Sequence, residues 1–184
     1  MNIFVVADNE HPRLSAIQLC DKHIIKMPLE TAQMLSTAHR VLCGKLKMSP
    51  SVSGKRVVRY WVLPDEREQS LYKAVHVNHP CTVWARKTLG NFIWLYDHGI
   101  ALCNEFEKRF GNVHKSKAVI QQCMDKVDAL GLVDLNKTPH PLCMPEEYKT
   151  KCAVESYRNY YHGEKSHFAT WPNPPTWWQV LKMG

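Results

Sequence analysis

The sequence has no apolar run approaching the roughly 20 residues that a membrane-spanning helix needs. Its opening decapeptide, MNIFVVADNE, is too short and too acidic at its end to be a signal peptide. These two absences set the expectation of a soluble, cytoplasmic protein. There is no CxxC pair either. The seven cysteines, Cys20, Cys43, Cys81, Cys103, Cys123, Cys143 and Cys152, are odd in number and widely spaced, unlike a disulfide framework or a zinc site. They are expected to be free thiols in a reducing compartment, with no metal and no cofactor. His76, His79 and Cys81 lie close in sequence but lack a second ligand pair at zinc-site spacing. The Walker loop, GxGxxG, GxSxG and HExxH are all missing, which removes the commonest nucleotide, hydrolase and metalloprotease signatures. No internal repeat or long linker divides the chain.

What is present is charge of one sign, mixed with rings. The 184 residues suffice for one good core. Lys and Arg number 24 against 17 acidic residues, a net charge of +7, with six tryptophans, seven tyrosines and ten histidines. Cations hold phosphates and rings stack on exposed bases, so this mixture suits a nucleic acid, and DNA is the expected partner. No membrane partner is expected, and the protein is taken as a monomer.

Hydrophobic periodicity predicts an all-α fold: a compact single domain, 1–184, of five or six helices with little or no strand. A helical pattern runs from Pro12 or Asp21 to Val41, with Pro28 expected to kink it. CGKLKMSPSVSGKR reads as loop, so a loop-rich insertion is placed around 44–64. VVRYWVL within it has strand character but no evident partner. Asp65 and Glu68 resemble a capping box opening a helix to about Val77. Pro80 suits a first helical position, and a long helix is expected from there to Phe110, weak at Gly90-Asn91 and closed by Gly111. Two further helices are expected, one from Lys115 to Leu130 and one over much of 146–168. An aromatic, proline-rich tail occupies 169–184. IFVVAD is a short strand or an extended lead-in.

One stretch, CDKHIIKMPLETAQMLSTAHR, concentrates reactive groups. At about 100° per residue, His23, Lys26, Glu30, Gln33 and Thr37 fall within roughly 80° of one another. Ile24, Thr31, Leu35 and Ala38 take another side and can pack. A carboxylate near an imidazole and an ammonium can act as general base or stabilise a developing cation. The same stripe also reads as an ordinary solvated helix face.

Two other segments stand out. NHPCTVWAR places Asn78, His79, Cys81, Thr82 and Arg86 at a helix start, where free N–H groups favour an anion. A plain capped helix with Trp84 in the core explains it equally. SYRNYYHGEKSHFATW interleaves Tyr157, Tyr160, Tyr161, Phe168 and Trp171 with Arg158, His162, Lys165 and His167. Some of these rings must be core, while others, with Arg158 and Lys165, can grip a backbone or a flipped base.

The order of these features resembles a known family. An early helix carries Asp21-Lys22-His23 with Glu30 seven residues after the histidine, a long middle helix follows, and a late helix leads to Pro175-Thr176-Trp177. This is similar to the phage pyrimidine-dimer DNA glycosylase/AP lyase family, of endonuclease V type. It also resembles phage relatives proposed to install or process hypermodified thymines. The resemblance implies a compact helical fold. It makes Glu30 the catalytic carboxylate, His23 its helper, and Pro175-Thr176-Trp177 the family's aromatic tail. It further implies that a chain-terminal α-amine attacks the sugar C1′. An α-amine, with a pKa of roughly 7.7–8, has a fair neutral fraction at physiological pH. The family's arginines flanking the glutamate are replaced by Leu29 and Gln33, and Asn2 is bulky enough to retain Met1. Met1 or Lys26 is then the amine, or no imine forms at all.

The expectation drawn from all this is a DNA-acting enzyme that flips and processes a pyrimidine base, with base excision and AP lyase chemistry. Its location is the host-cell cytoplasm if it is phage-encoded. Alternatives are a transferase or pyrophosphorylase substituting at a hypermodified thymine, a non-catalytic nucleic-acid-binding protein, and an enzyme acting on free nucleotides. The catalytic candidates are His23, Glu30, Met1 and Lys26. The DNA- or substrate-binding candidates are Lys22, Gln33, Asn78, His79, Arg86, Arg158, Tyr161, Lys165 and Trp177.

Overall fold

The computed structural model describes residues 1–179. Residues 180–184 of the expected aromatic tail lie outside the described residues.

The chain enters as an extended segment, 1–7, whose residues Ile3 to Ala7 are buried but pair with no strand. A short helix α1, Pro12–Ile17, follows, and then α2, Asp21–Cys43, the central element. The helix continues through Pro28. From Glu30 to Arg40 almost every residue of α2 is buried, including Glu30, Thr37, His39 and Arg40. Lys26 is exposed, but from Glu30 onward the expected polar side is not solvated. It is covered by the N-terminal segment at one end and by residues 71–75 at the other, where Thr37 Oγ1 accepts from the N–H of Val75 at 3.1 Å.

The mainly helical expectation holds, with one exception. The stretch read as loop forms a β-hairpin, β1 Lys45–Pro50 paired antiparallel with β2 Val57–Val62. The strand-like VVRYWV found its partner immediately upstream, in KLKMSP, whose lysines and proline had argued against pairing. An edge strand tolerates both, because half its backbone groups face solvent.

The helix expected from Asp65 to Val77 is a single turn, α3, Arg67–Ser70. Glu68 does accept from Leu63 N–H at 3.0 Å, but the same carboxylate also binds the buried Arg40 at 2.5 Å. Arg40 takes the carbonyls of Glu68 and Leu71 as well, at 3.1 and 2.9 Å, which ends the helix.

The long helix expected from Pro80 is two elements, α4 Pro80–Ala85 and α5 Leu89–Phe110. Thr88 interrupts them and caps α5, accepting from Asn91 N–H at 3.1 Å. Gly111 closes α5 in the left-handed region, φ 72°. Helices α2 and α5 cross closely at Gly99, where a Cβ would stand 2.5 Å from Thr31 Cγ2. Helix α6, Lys117–Asp125, packs on both. Helix α7, Ala153–Tyr160, runs into a π-helical turn, Tyr161–Lys165, and the tail adds one turn, α8 Thr176–Gln179, where no regular helix was expected.

Candidate active site

The N-terminal segment lies along the first half of α2, in the opposite direction. Asn2 sits beside Glu30, and Phe4 stacks on His23 with ring centroids 4.3 Å apart. The α-amine of Met1 comes to 3.7 Å from Glu30 Oε2. The Asn2 N–H donates to the same oxygen at 3.0 Å, and Lys26 Nζ stands 2.9 Å from Oε1. Glu30 is 8% exposed, so its carboxylate lies in a largely dry place, with one oxygen held by the Asn2 N–H and the other by Lys26, and with the α-amine in ion-pair range.

Asn2 is the anchor of this arrangement. Its Nδ2 donates to the Cys143 carbonyl at 3.0 Å, and its Oδ1 accepts from the Tyr157 hydroxyl at 2.8 Å. The Met1 thioether accepts from Thr82 Oγ1 at 3.1 Å. Four separate stretches thus fix the first two residues. None of Asn2, Thr82, Cys143 and Tyr157 was singled out for this task from sequence. Asn2 and Tyr157 are separated by 155 positions, and no periodicity connects them.

His23 is buried, 6% exposed, and does not touch Glu30. It packs between Phe4 and Phe168, and its Nδ1 bonds the hydroxyl of Tyr161. Burial first, then the positive field of Lys165, Lys26 and Lys22, pushes its pKa down to about 3. Burial holds the Tyr161 hydroxyl well above its ordinary value, so a protonated hydroxyl and a neutral imidazole share this hydrogen bond, its direction set by the His23 tautomer. The expectation that Tyr161 grips DNA is corrected here: it is fully buried and supports His23.

The other binding candidates divide. Lys22 and Lys26 are exposed near this site, with Lys22 Nζ 4.6 Å above the Phe168 ring. Lys26 also lines a cleft of about 620 Å³ with Ile25, Leu29, Tyr72 and Phe106. Gln33 is half-buried on α2, and Asn78 is exposed just before α4. Lys165 donates to Tyr160 at 3.0 Å and covers its ring.

Arg86 is engaged within the fold. Its guanidinium donates to the carbonyls of Thr82 and Val77 at 2.9 and 2.8 Å, closing α4. Arg158 is likewise engaged by Val6 O and Asp8, and it lies over Trp177. Trp177 bonds Gln18 through its indole N–H at 2.8 Å. Arginines near aromatic rings have two uses, and sequence spacing does not distinguish them.

His79 caps α4, accepting from Cys81 N–H at 3.2 Å. Partial burial, then the neighbouring α-amine and His76, hold its pKa below the ordinary value. Its ring and the sulfurs of Cys81 and Cys143 offer ligand atoms all within 4.8 Å of one another, the set here that could hold a soft metal ion. The Cys81 thiol donates to Cys143 across 3.5 Å. That bond lowers the Cys143 thiol to about 7 while raising Cys81.

A family model described as pyrimidine dimer DNA glycosylase matches residues 1–119. The chain belongs to that family. The matched stretch contains Met1, His23, Lys26, Glu30 and the hairpin, and it ends before α7. No curated protein and no solved structure matches the chain.

Proposed function

We propose that this member of the pyrimidine dimer DNA glycosylase family excises a pyrimidine base from DNA, with the Met1 α-amine as nucleophile and Glu30 as its carboxylate. The observation that carries the reading is the 3.7 Å approach of the α-amine to Glu30 Oε2. In its neutral form the amine attacks C1′ of an extruded nucleotide. The N–C1′ bond forms as the glycosidic bond breaks, and the base leaves with the bonding pair and is then protonated. The carboxylate stabilises the cationic charge developing on the sugar and accepts the proton that the attacking amine loses. Opening of the sugar ring gives an imine, from which β-elimination breaks the strand.

The surrounding residues have supporting roles. Lys26 and the Asn2 N–H hold the two carboxylate oxygens in place. His23 acts through Phe4 as a positioning residue, setting the path of the N-terminal segment. Extrusion is required because C1′ and the base are otherwise inside the duplex. Lys22 and Lys26 stand where entering phosphates would pass.

The test is incubation with DNA carrying pyrimidine dimers or thymine variants, with nucleoside mass spectrometry and borohydride trapping. Intact mass first verifies that the protein begins at Met1. The reading expects base release and a trapped adduct on Met1. One residue added before Met1 should abolish release, and Glu30→Gln should slow it by about 100-fold or more. Full activity of the extended protein would overturn the amine mechanism. Base substitution without loss would instead make Glu30 the activator of a bound amine.

A further inference from the structure

Residues 44–64 contain Lys45, Lys47, Lys55, Arg56 and Arg59, five of the 24 basic residues, and none of the 17 acidic ones. They therefore account for five of the seven net positive charges. All five side chains are exposed, and none belongs to an ion pair among the described residues. Elsewhere, Arg40, Arg67, Arg109 and Arg158 each pair with a carboxylate and Arg86 is taken by carbonyls, while the exposed and unpaired Arg13, Lys22, Lys87, Lys115 and Lys151 are scattered along the chain.

The hairpin bearing these cations is a two-stranded ribbon, with no third strand among the described residues. Cross-strand pairs share a face, so Lys47 stands with Tyr60, and Met48 with Arg59. Positive charge thus occurs on both faces and at the tip. Beside the ribbon lies a groove of about 1030 Å³, lined by Lys55, Arg56, Arg59, Tyr60, Trp61 and Lys73 among others.

The ribbon is firmly mounted. The buried Arg40 donates to the Trp61 carbonyl at 2.9 Å, and Glu68 accepts from Leu63 N–H at 3.0 Å. Arg40 belongs to α2, the helix that carries Glu30. Glu30 and the root of the hairpin at Gly44 are therefore rigidly spaced, about 20 Å apart along the helix axis. That distance matches roughly six base pairs of duplex at 3.4 Å each.

We infer that this hairpin is a second DNA-contacting element, an arm that grips the sugar-phosphate backbone of the duplex flanking the target nucleotide. The inference rests on the proposed function for its substrate class and adds a footprint beyond the Glu30 site. Charge complementarity selects the occupant: an unpaired basic ribbon fits a polyanion.

The test replaces Lys45, Lys47, Lys55, Arg56 and Arg59 together with Gln in the full chain. Because these side chains are exposed and unpaired, thermal melting should match the wild type, which checks the fold. Affinity for a 30-base-pair duplex is measured between about 50 and 200 mM salt, where each lost phosphate contact flattens the log–log slope by about 0.9. The expected result is a slope lower by at least about two, and affinity lower by 10-fold or more at low salt. Wild-type affinity should also rise as the duplex is lengthened past the target by about six base pairs, a gain absent from the variant. An unchanged slope, or a loss confined to single-stranded DNA, would overturn the inference. Hairpin-dependent duplex binding without base release by the wild type would overturn only the proposed excision. Base release with hairpin-independent binding would overturn only the arm.

Discussion

The hydroxyl of Tyr161 is hydrogen-bonded to Nδ1 of His23, joining the π-helical turn after α7 to the first turn of α2 across 138 positions of sequence. Both groups are buried, and the tyrosine hydroxyl is also 3.9 Å from the Cys20 sulfur. Tyr161→Phe should leave the histidine nitrogen without its partner and destabilise the fold by about 1–3 kcal/mol. Denaturant unfolding checks the energy, and the ¹⁵N shifts of His23 should report a change of tautomer population. An unaltered His23 spectrum would show that the bond does not set its protonation.

Acid should destabilise the protein well before its carboxylates titrate. Burial pushes His23 and His98 down to about 3, His39 to about 4 and His140 to about 2. An unfolded chain binds protons on these rings near pH 6.5, and the folded chain does not. The stability they support is therefore complete above about pH 6.5 and falls as pH drops toward their folded values. Four rings give a slope approaching about 5 kcal/mol per pH unit near pH 5. Urea midpoints from pH 7 to 4.5 should fall steeply, and a flat profile would contradict the neutral burial of these rings.

Thiol chemistry should single out Cys143. The Cys81 thiol donates to it and holds it at about 7, below the ordinary thiol value. Alkylation of Cys143 should therefore follow a pH midpoint near 7 in the wild type. In Cys81→Ala the donor is gone, and the midpoint should move upward by a pH unit or so. Peptide mass mapping after iodoacetamide treatment reads both, and an unmoved midpoint would refute the hydrogen bond's role.

Arg40→Leu should be the most damaging single change outside the candidate active site. Arg40 is fully buried, pairs with Glu68 and donates to the carbonyls of Trp61, Glu68, Leu71 and Tyr72. Removing it leaves the carbonyls of Trp61, Glu68, Leu71 and Tyr72 without their donor, while Glu68 keeps Lys73 and the Leu63 N–H, and the loss is about 3 kcal/mol or more. The hairpin and residues 63–72 should lose amide-exchange protection first, since Arg40 ties both to α2. Uniform loss across the molecule would mean that Arg40 supports the whole core equally.

Local chemistry along the chain was sufficient for much of the architecture. Apolar spacing located α2 and α5, Gly111 marked a real stop, and Pro80 opened a real helix. The spacing of His23, Lys26 and Glu30 also foretold that they share a helix. Tertiary structure decided the rest, because the deciding contacts are distant in sequence. Glu30 could have faced solvent; it faces the α-amine because residues 1–7 fold back along α2, held by Asn2 to Cys143 and Tyr157. Arg86 and Arg158 had the composition of DNA ligands, yet nearby carbonyls and Asp8 claimed them during packing. Glu68 carried a helix-start signal, but a buried arginine on another element bound it more strongly than a local cap could, and the helix stopped after one turn. Periodicity reports which residues share a face; which faces meet is settled by burial of charge and apolar area across the whole chain.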